Sequence, residues 1–202
     1  MKILPLAVAL LATPILLAQQ PFAEPTTPSA TTFHDVRSGV TFQVPAGWNL
    51  TRKDGEVSTY AQDVHSTLKS SQVRAVVNIT FNPYPTSTFS GAYLYLSYAP
   101  RSTQADCDHQ TAVLKPGHPA STKQIGGITF NRGYDEHGEI CVESRNDIFT
   151  AMHNNACYRF DFVINSFCGG DVSGVRDISP KELDSVRQRL ESILSTVQFD
   201  KR

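Results

Sequence analysis

Apolar side chains follow three different rhythms along this chain, and each rhythm predicts a different kind of element. From Ile3 to Leu17 they form a nearly continuous run. Between Phe33 and Cys168 they mostly alternate with polar residues, the period of strands. From Leu183 to Val197 they return at helical spacing: Leu183, Val186, Leu190, Ile193, Leu194 and Val197 share one face, with Asp184, Arg187, Arg189 and Glu191 on the others. Ser179-Pro180-Lys181-Glu182 precedes that stripe with an N-cap serine, a proline at the first helical position and a glutamate placed to close a capping box. A long C-terminal helix packed by one face on a sheet is therefore expected.

In the alternating region, Val40 to Val44 reads as a strand closed by Pro45-Ala46-Gly47, with Trp48 just beyond the turn. Asp54-Gly55 is a turn signal before a weak strand pattern at Val57 to Val64. Arg74 to Phe81 is rich in β-branched residues and predicts a strand ended by Pro83, followed by a loop from Tyr84 to Ser90. Ala92 to Tyr98 fits a strand or a short buried helix, which periodicity does not separate. Asp106 to Leu114 predicts a short helix capped by Thr103 or Asp106 and stopped by Pro116-Gly117. Lys123 to Tyr134, Glu139 to Met152 and Cys157 to Asn165 read as three successive antiparallel strands, separated by Glu136-His137-Gly138 and by Asn154-Asn155.

That last turn constrains the cysteines. If Asn154-Asn155 is a two-residue turn, His153 opposes Ala156, Phe149 opposes Phe160 and Cys141 opposes Cys168, on the core face of Tyr158, Phe160 and Phe162. Cys157 then opposes Met152, roughly 35 Å along the ladder from Cys141, too far for a bond that needs Cα atoms within about 7 Å. Of the three pairings available to Cys107, Cys141, Cys157 and Cys168, the pair Cys141–Cys168 with Cys107–Cys157 fits best.

Compartment decides whether those bonds form. Lys2, the apolar run and Ala18 have the three-part layout of a secretory signal, too short and too proline-interrupted at Pro5 and Pro14 for a span that needs about twenty apolar residues. We expect a signal peptide over residues 1–18, with cutting after Ala23 as the second position, and a secreted or periplasmic protein without a membrane span after cleavage. Residues 19–32 carry Pro21, Pro25 and Pro28 with several threonines, and read as a linker before a single domain over residues 33–202. Export makes two structural disulfides the default for four cysteines without a Cys-x-x-Cys pair. Loss of Lys2 leaves 17 basic against 19 acidic residues, and the basic ones are dispersed, so no nucleic-acid partner is expected.

GVTFQVPAGW at Gly39 to Trp48, IGGITF at Ile125 to Phe130, the aromatic strand CYRFDFVI and the terminal ILSTVQF at Ile193 to Phe199 together resemble the Mog1/PsbP-like superfamily, in its bacterial exported, uncharacterised branch. The resemblance covers essentially the whole mature domain. It implies an α+β fold in which helices, the long C-terminal one among them, pack on an antiparallel sheet as an α/β/α sandwich. It implies no catalytic motif, and fold alone does not carry function.

Candidate chemistry is thin. His34, His65, His109, His118, His137 and His153 show no ligand spacing. His137 with Asp135, Glu136 and Glu139 could form a cation site, although a solvated hairpin tip is the plainer expectation. Gly169-Gly170-Asp171 to Asp177 lacks the ligand pattern of a calcium loop, and no Gly-x-Ser-x-Gly elbow exists. Tyr84, Phe89, Tyr93, Tyr95 and Tyr98 are candidates to line an apolar ligand groove, or else belong to the core and a capping loop. The expected function is a non-catalytic binding or assembly module for an unknown protein or small-molecule ligand, with no cofactor. The alternative is a small extracytoplasmic hydrolase or metal-dependent enzyme using His109 or His137.

Overall fold

The computed structural model describes residues 30–51, 64, 68–111, 118–139, 141–169 and 174–201. The expected signal peptide, most of the linker, the turn at Asp54-Gly55, most of the Val57 to Val64 strand and the stop at Pro116-Gly117 lie outside the described residues.

The described residues open with a hairpin, β1 (Thr31–Asp35) and β2 (Val40–Val44), so Thr31 and Thr32 of the expected linker already belong to a strand. Gly47, at φ +80°, completes the turn after β2 and leads into β3 (Trp48–Thr51). The main sheet is antiparallel and continues through β4 (Val73–Ile79), β5 (Phe89–Pro100), β6 (Ser121–Ile125), β7 (Ile128–Glu139), β8 (Val142–His153) and β9 (Ala156–Phe167). Its spatial order is β3-β4-β5-β9-β8-β7-β6. Helix α1 (Gln104–His109) follows β5, and α2 (Pro180–Leu194) follows β9. The last strand, β10 (Gln198–Phe199), pairs with β2, giving a second sheet of order β1-β2-β10.

Ala92 to Tyr98 thus resolves as strand, inside the twelve residues of β5. The Asn154-Asn155 turn stands as expected: both residues have positive φ, +49° and +59°, and His153 opposes Ala156. Two sequence expectations need correction. Lys123 to Tyr134 is not one strand but the hairpin β6–β7, because Gly126 and Gly127 take φ +56° and +83° and reverse the chain. Glu136-His137-Gly138 is not a turn but part of β7, which pairs with β8 as far as Glu139–Val142. Gly138 is not among the residues with positive φ; Cys141, at φ +64°, is.

The capping box of α2 forms in full, with Glu182 N–H donating to Ser179 Oγ at 3.3 Å and Ser179 N–H donating to Glu182 Oε2 at 2.9 Å. Val186, Leu190, Ile193 and Leu194 of this helix are buried against one face of the main sheet, together with Phe33, Phe42, Tyr158, Phe160 and Phe162. On the opposite face, α1 packs on β8 and β9. Thr103 caps α1, its hydroxyl accepting from Asp106 N–H at 3.1 Å, and the helix ends at His109, short of the expected Leu114. The architecture is α+β, dominated by antiparallel sheet.

Candidate functional site

The face under α1 is where sequence and structure differ most. Alternation puts Cys157, Arg159, Asp161 and Val163 opposite to the core face, where charged side chains ordinarily meet water. Here Arg159 and Asp161 are both fully buried. Arg159 Nη2 donates to Asp161 Oδ1 at 2.7 Å, and its Nη1 donates to Gln110 Oε1, just past α1, at 2.9 Å. Asn146 Nδ2 adds a third donor to Asp161 Oδ1 at 3.0 Å, which fixes the amide orientation. Its Oδ1 is a buried acceptor with no hydrogen-bond partner among the described residues.

At the end of this face a bond joins Cys107 of α1 to Cys157 of β9, with Cα atoms 5.4 Å apart. Both cysteines are buried against Ala99, so the bond ties α1 down on the sheet. Beside it opens a cleft of about 570 Å³, with Cys157, Ala99 and Gln110 in its lining. Among the described residues its lining carries Arg37, Lys69, Arg74 and Asp106. Arg74 is locked: Nη2 donates to Asp35 Oδ1 at 2.7 Å and Nε donates to Asp35 Oδ2 at 3.0 Å. Burial alone would push the Asp35 carboxyl up. The hydrogen bonds from Arg74 and Ser38 outweigh it and hold the group well below the usual carboxylate range.

No protein-family model matches the chain, and no curated protein does. Among solved structures it is similar to cyanobacterial PsbP (CyanoP) from Synechocystis sp. PCC 6803, at 11% identity and TM-score 0.47, over 90% of this chain and 99% of that one. It is also similar to LpqN, involved in cell envelope biogenesis of Mycobacterium tuberculosis, at 11% identity and TM-score 0.46, over 85% and 91% of the two chains. A protein from Bacteroides thetaiotaomicron VPI-5482 gives 15% identity and TM-score 0.47, over 86% of this chain and 50% of that one. The first of these bears the PsbP name of the superfamily that the sequence motifs resemble. Likenesses this distant carry nothing about ligand or activity.

Four of the five aromatic candidates fall on two faces of β5, and Tyr84 lies in the loop before it. Tyr93 and Tyr95 stack at 6.0 Å on the α1 side, beside Val73, Val76 and Val163. Phe89 and Tyr98 are buried in the main core, and Tyr84 packs edge-on against Phe89 at 6.2 Å. Of the set, Tyr98 reaches the cleft. The cleft was missed from sequence because its walls come from separate segments, brought together by the β1–β2 loop, the 3-10 turn at Ser70–Gln72 and α1.

His65 lies outside the described residues, and the other histidines are dispersed. His34 contacts Thr41 on β1–β2, and His109 is exposed at the end of α1. His118 stacks on Tyr134 at 3.7 Å, and His153 lies against Tyr158 and Phe199. Burial and nearby Glu136 push the Tyr134 phenol up to about 12. His137 stands on the sheet rather than at a hairpin tip: its Nδ1 is 3.2 Å from Asp135 Oδ2, and Ser144 lies directly across the ladder. Among the described residues no cluster of three His, Cys, Asp or Glu side chains is placed to hold a metal ion.

Proposed function

We propose that this is an exported, non-catalytic binding module, tethered by its N-terminal linker and folded as an α/β/α sandwich, whose ligand docks in the cleft beside Cys107–Cys157. The observation that carries this reading is the cleft itself. At about 570 Å³ it has the size of small-ligand sites, roughly 300–1,000 Å³. Its walls are fixed in advance by a disulfide and by the Arg74–Asp35 ion pair, so little ordering entropy is lost when something binds. Among the described residues, Tyr98, Pro100 and Leu68 give the lining an apolar part, and Arg37 and Lys69 add positive charge beside the paired Arg74, which suits a ligand with an apolar body and an acidic group. The secreted or periplasmic location rests on the signal-like N-terminus and on a disulfide, a bond at home in oxidising compartments.

The test is photo-crosslinking in the native envelope from a reactive side chain placed at Gln72 or Ser102, with Asp184 on α2 as the distant control. A discrete adduct from the two cleft positions and none from position 184 is expected. Equal labelling from all three, or none, would remove the cleft from consideration.

One observation favours a second reading, a small hydrolase: Asp135, His137 and Ser144 lie side by side on one face of β7 and β8. Against it, Ser144 is buried and its hydroxyl donates to Asn165 Oδ1 at 2.6 Å rather than to the imidazole. Ester hydrolysis that survives purification and is lost in both Ser144→Ala and His137→Ala would establish this reading in place of the first.

A further inference from the structure

Cys141 and Cys168 are the two cysteines that the cleft does not use. The β8–β9 ladder runs in unbroken register from His153–Ala156 to Val142–Phe167, so the next opposed pair is Cys141 and Cys168. The Cys168 N–H donates to the Cys141 carbonyl at 3.3 Å, one step past the last paired residues of the ladder. Residues opposed across a ladder have Cα atoms about 4.5–5.5 Å apart, inside the range a disulfide bridges. An independent observation points the same way. Cys141 sits at φ +64°, where a side chain with a β-carbon is uncommon and glycine or asparagine is the easier choice. A cross-strand bond would account for a cysteine at so unfavourable a position.

We propose that Cys141 and Cys168 form a second disulfide in the exported protein, and that this bond, unlike Cys107–Cys157, is open to thiol–disulfide exchange. Two thiols give up two protons and two electrons as the S–S bond forms, and a small-molecule disulfide such as oxidised glutathione takes up both, leaving as two thiols. The two pairs differ in access. Cys107 and Cys157 are each 1% exposed, whereas Cys141 and Cys168, which the structure does not join to each other, are both half-buried. Exchange requires a thiolate to reach a sulfur atom, so exposure sets which pair responds. An opening of about 380 Å³ lies beside Cys168, with Glu143, Arg145 and Asp177 on its walls. The bond would close the open end of the β8–β9 hairpin at the corner where Phe167 N–H meets the Thr88 carbonyl and Thr88 N–H meets the Arg176 carbonyl. Reduction would loosen that corner while leaving α1 stapled.

The experiment is a redox titration of the mature protein, expressed with export and purified without reductant, in glutathione buffers of stepped ratio. Each sample is quenched with an alkylating reagent and mapped by peptide mass spectrometry. The untreated protein is expected to show no alkylation, and Cys141 and Cys168 to become alkylated together at a reductant ratio at least tenfold below that for Cys107 and Cys157. A Cys141→Ser/Cys168→Ser variant, which keeps the buried pair, should lose the early step alone. Alkylation of Cys141 and Cys168 in the untreated protein, a different partner for either, or both pairs opening at one ratio would overturn the proposal.

Discussion

Arg159 and Asp161, two positions apart on β9, form an ion pair in which neither side chain is exposed to solvent. Two charges taken out of water are sustained only when their hydrogen bonds are met within the protein, and here Gln110 and Asn146 supply the remaining partners. Removing one partner leaves the other charge buried and uncompensated. Asp161→Ala is therefore expected to destabilise the fold by about 3–5 kcal/mol. The double replacement Arg159→Met/Asp161→Leu should cost less than Asp161→Ala alone, since it removes both charges and leaves only the neutral amides of Gln110 and Asn146 without that partner. Urea unfolding of the three proteins decides it, and a double variant weaker than the single one would contradict this account.

Asp35 gives stability a definite pH dependence. Its carboxyl is held below the ordinary value of 3.8 by Arg74 and Ser38 despite burial. A depressed folded value means that the unfolded chain binds the proton more tightly. The contribution is then fully present above the unfolded value near 4 and is lost as pH falls below it, toward the folded value. Thermal unfolding between pH 6 and pH 2 should show a steeper acid-side loss for the wild type than for Asp35→Asn. The variant should be the weaker protein at pH 6, because it meets Arg74 with a neutral amide. Parallel curves would mean that the pair contributes nothing specific.

The Cys107–Cys157 bond closes a long segment, with a sequence separation of 50, and ties a helix of six residues to the sheet. So short a helix has little stability of its own. Cys107→Ser/Cys157→Ser is expected to lose about 4 kcal/mol by the loop-entropy relation. Hydrogen exchange should rise first in α1 and around Gln110, ahead of β8 and β9. Uniform loss of protection across the sheet would show that the bond holds the whole fold rather than the helix.

Local signals were readable where one residue decides the geometry. The capping serine, the Asn154-Asn155 turn and the β8–β9 register followed from side-chain chemistry within a few positions. The hairpin at Gly126-Gly127 was lost because the apolar pattern continues across it, and β7 was cut short because Glu-His-Gly has the composition of a turn. The burial of Arg159 was invisible for a different reason. Alternation reports which residues share a face, and says nothing about what covers that face when the cover comes from α1, fifty positions earlier. The cleft shares this origin, since its lining spans Arg37 to Cys157.

The two glycines of the β6–β7 turn offer a sharper test of how β10 docks. Both have positive φ, so alanine at either costs about 1–2 kcal/mol for the backbone alone. Their surroundings differ. A Cβ on Gly127 would meet nothing within 4 Å, whereas one on Gly126 would come within 2.7 Å of Phe199 Cδ2 and 3.0 Å of the Val197 carbonyl oxygen. Phe199 in turn packs on Phe130 and Tyr158. Gly127→Ala should therefore show the backbone cost and little else, while Gly126→Ala should also displace Phe199 and weaken the β10–β2 pairing. In amide exchange, Asp200 N–H, which donates to the Gly39 carbonyl at 2.8 Å, should lose protection in the first-turn variant Gly126→Ala and keep it in Gly127→Ala. Equal exchange in the two would show that β10 does not lean on the turn.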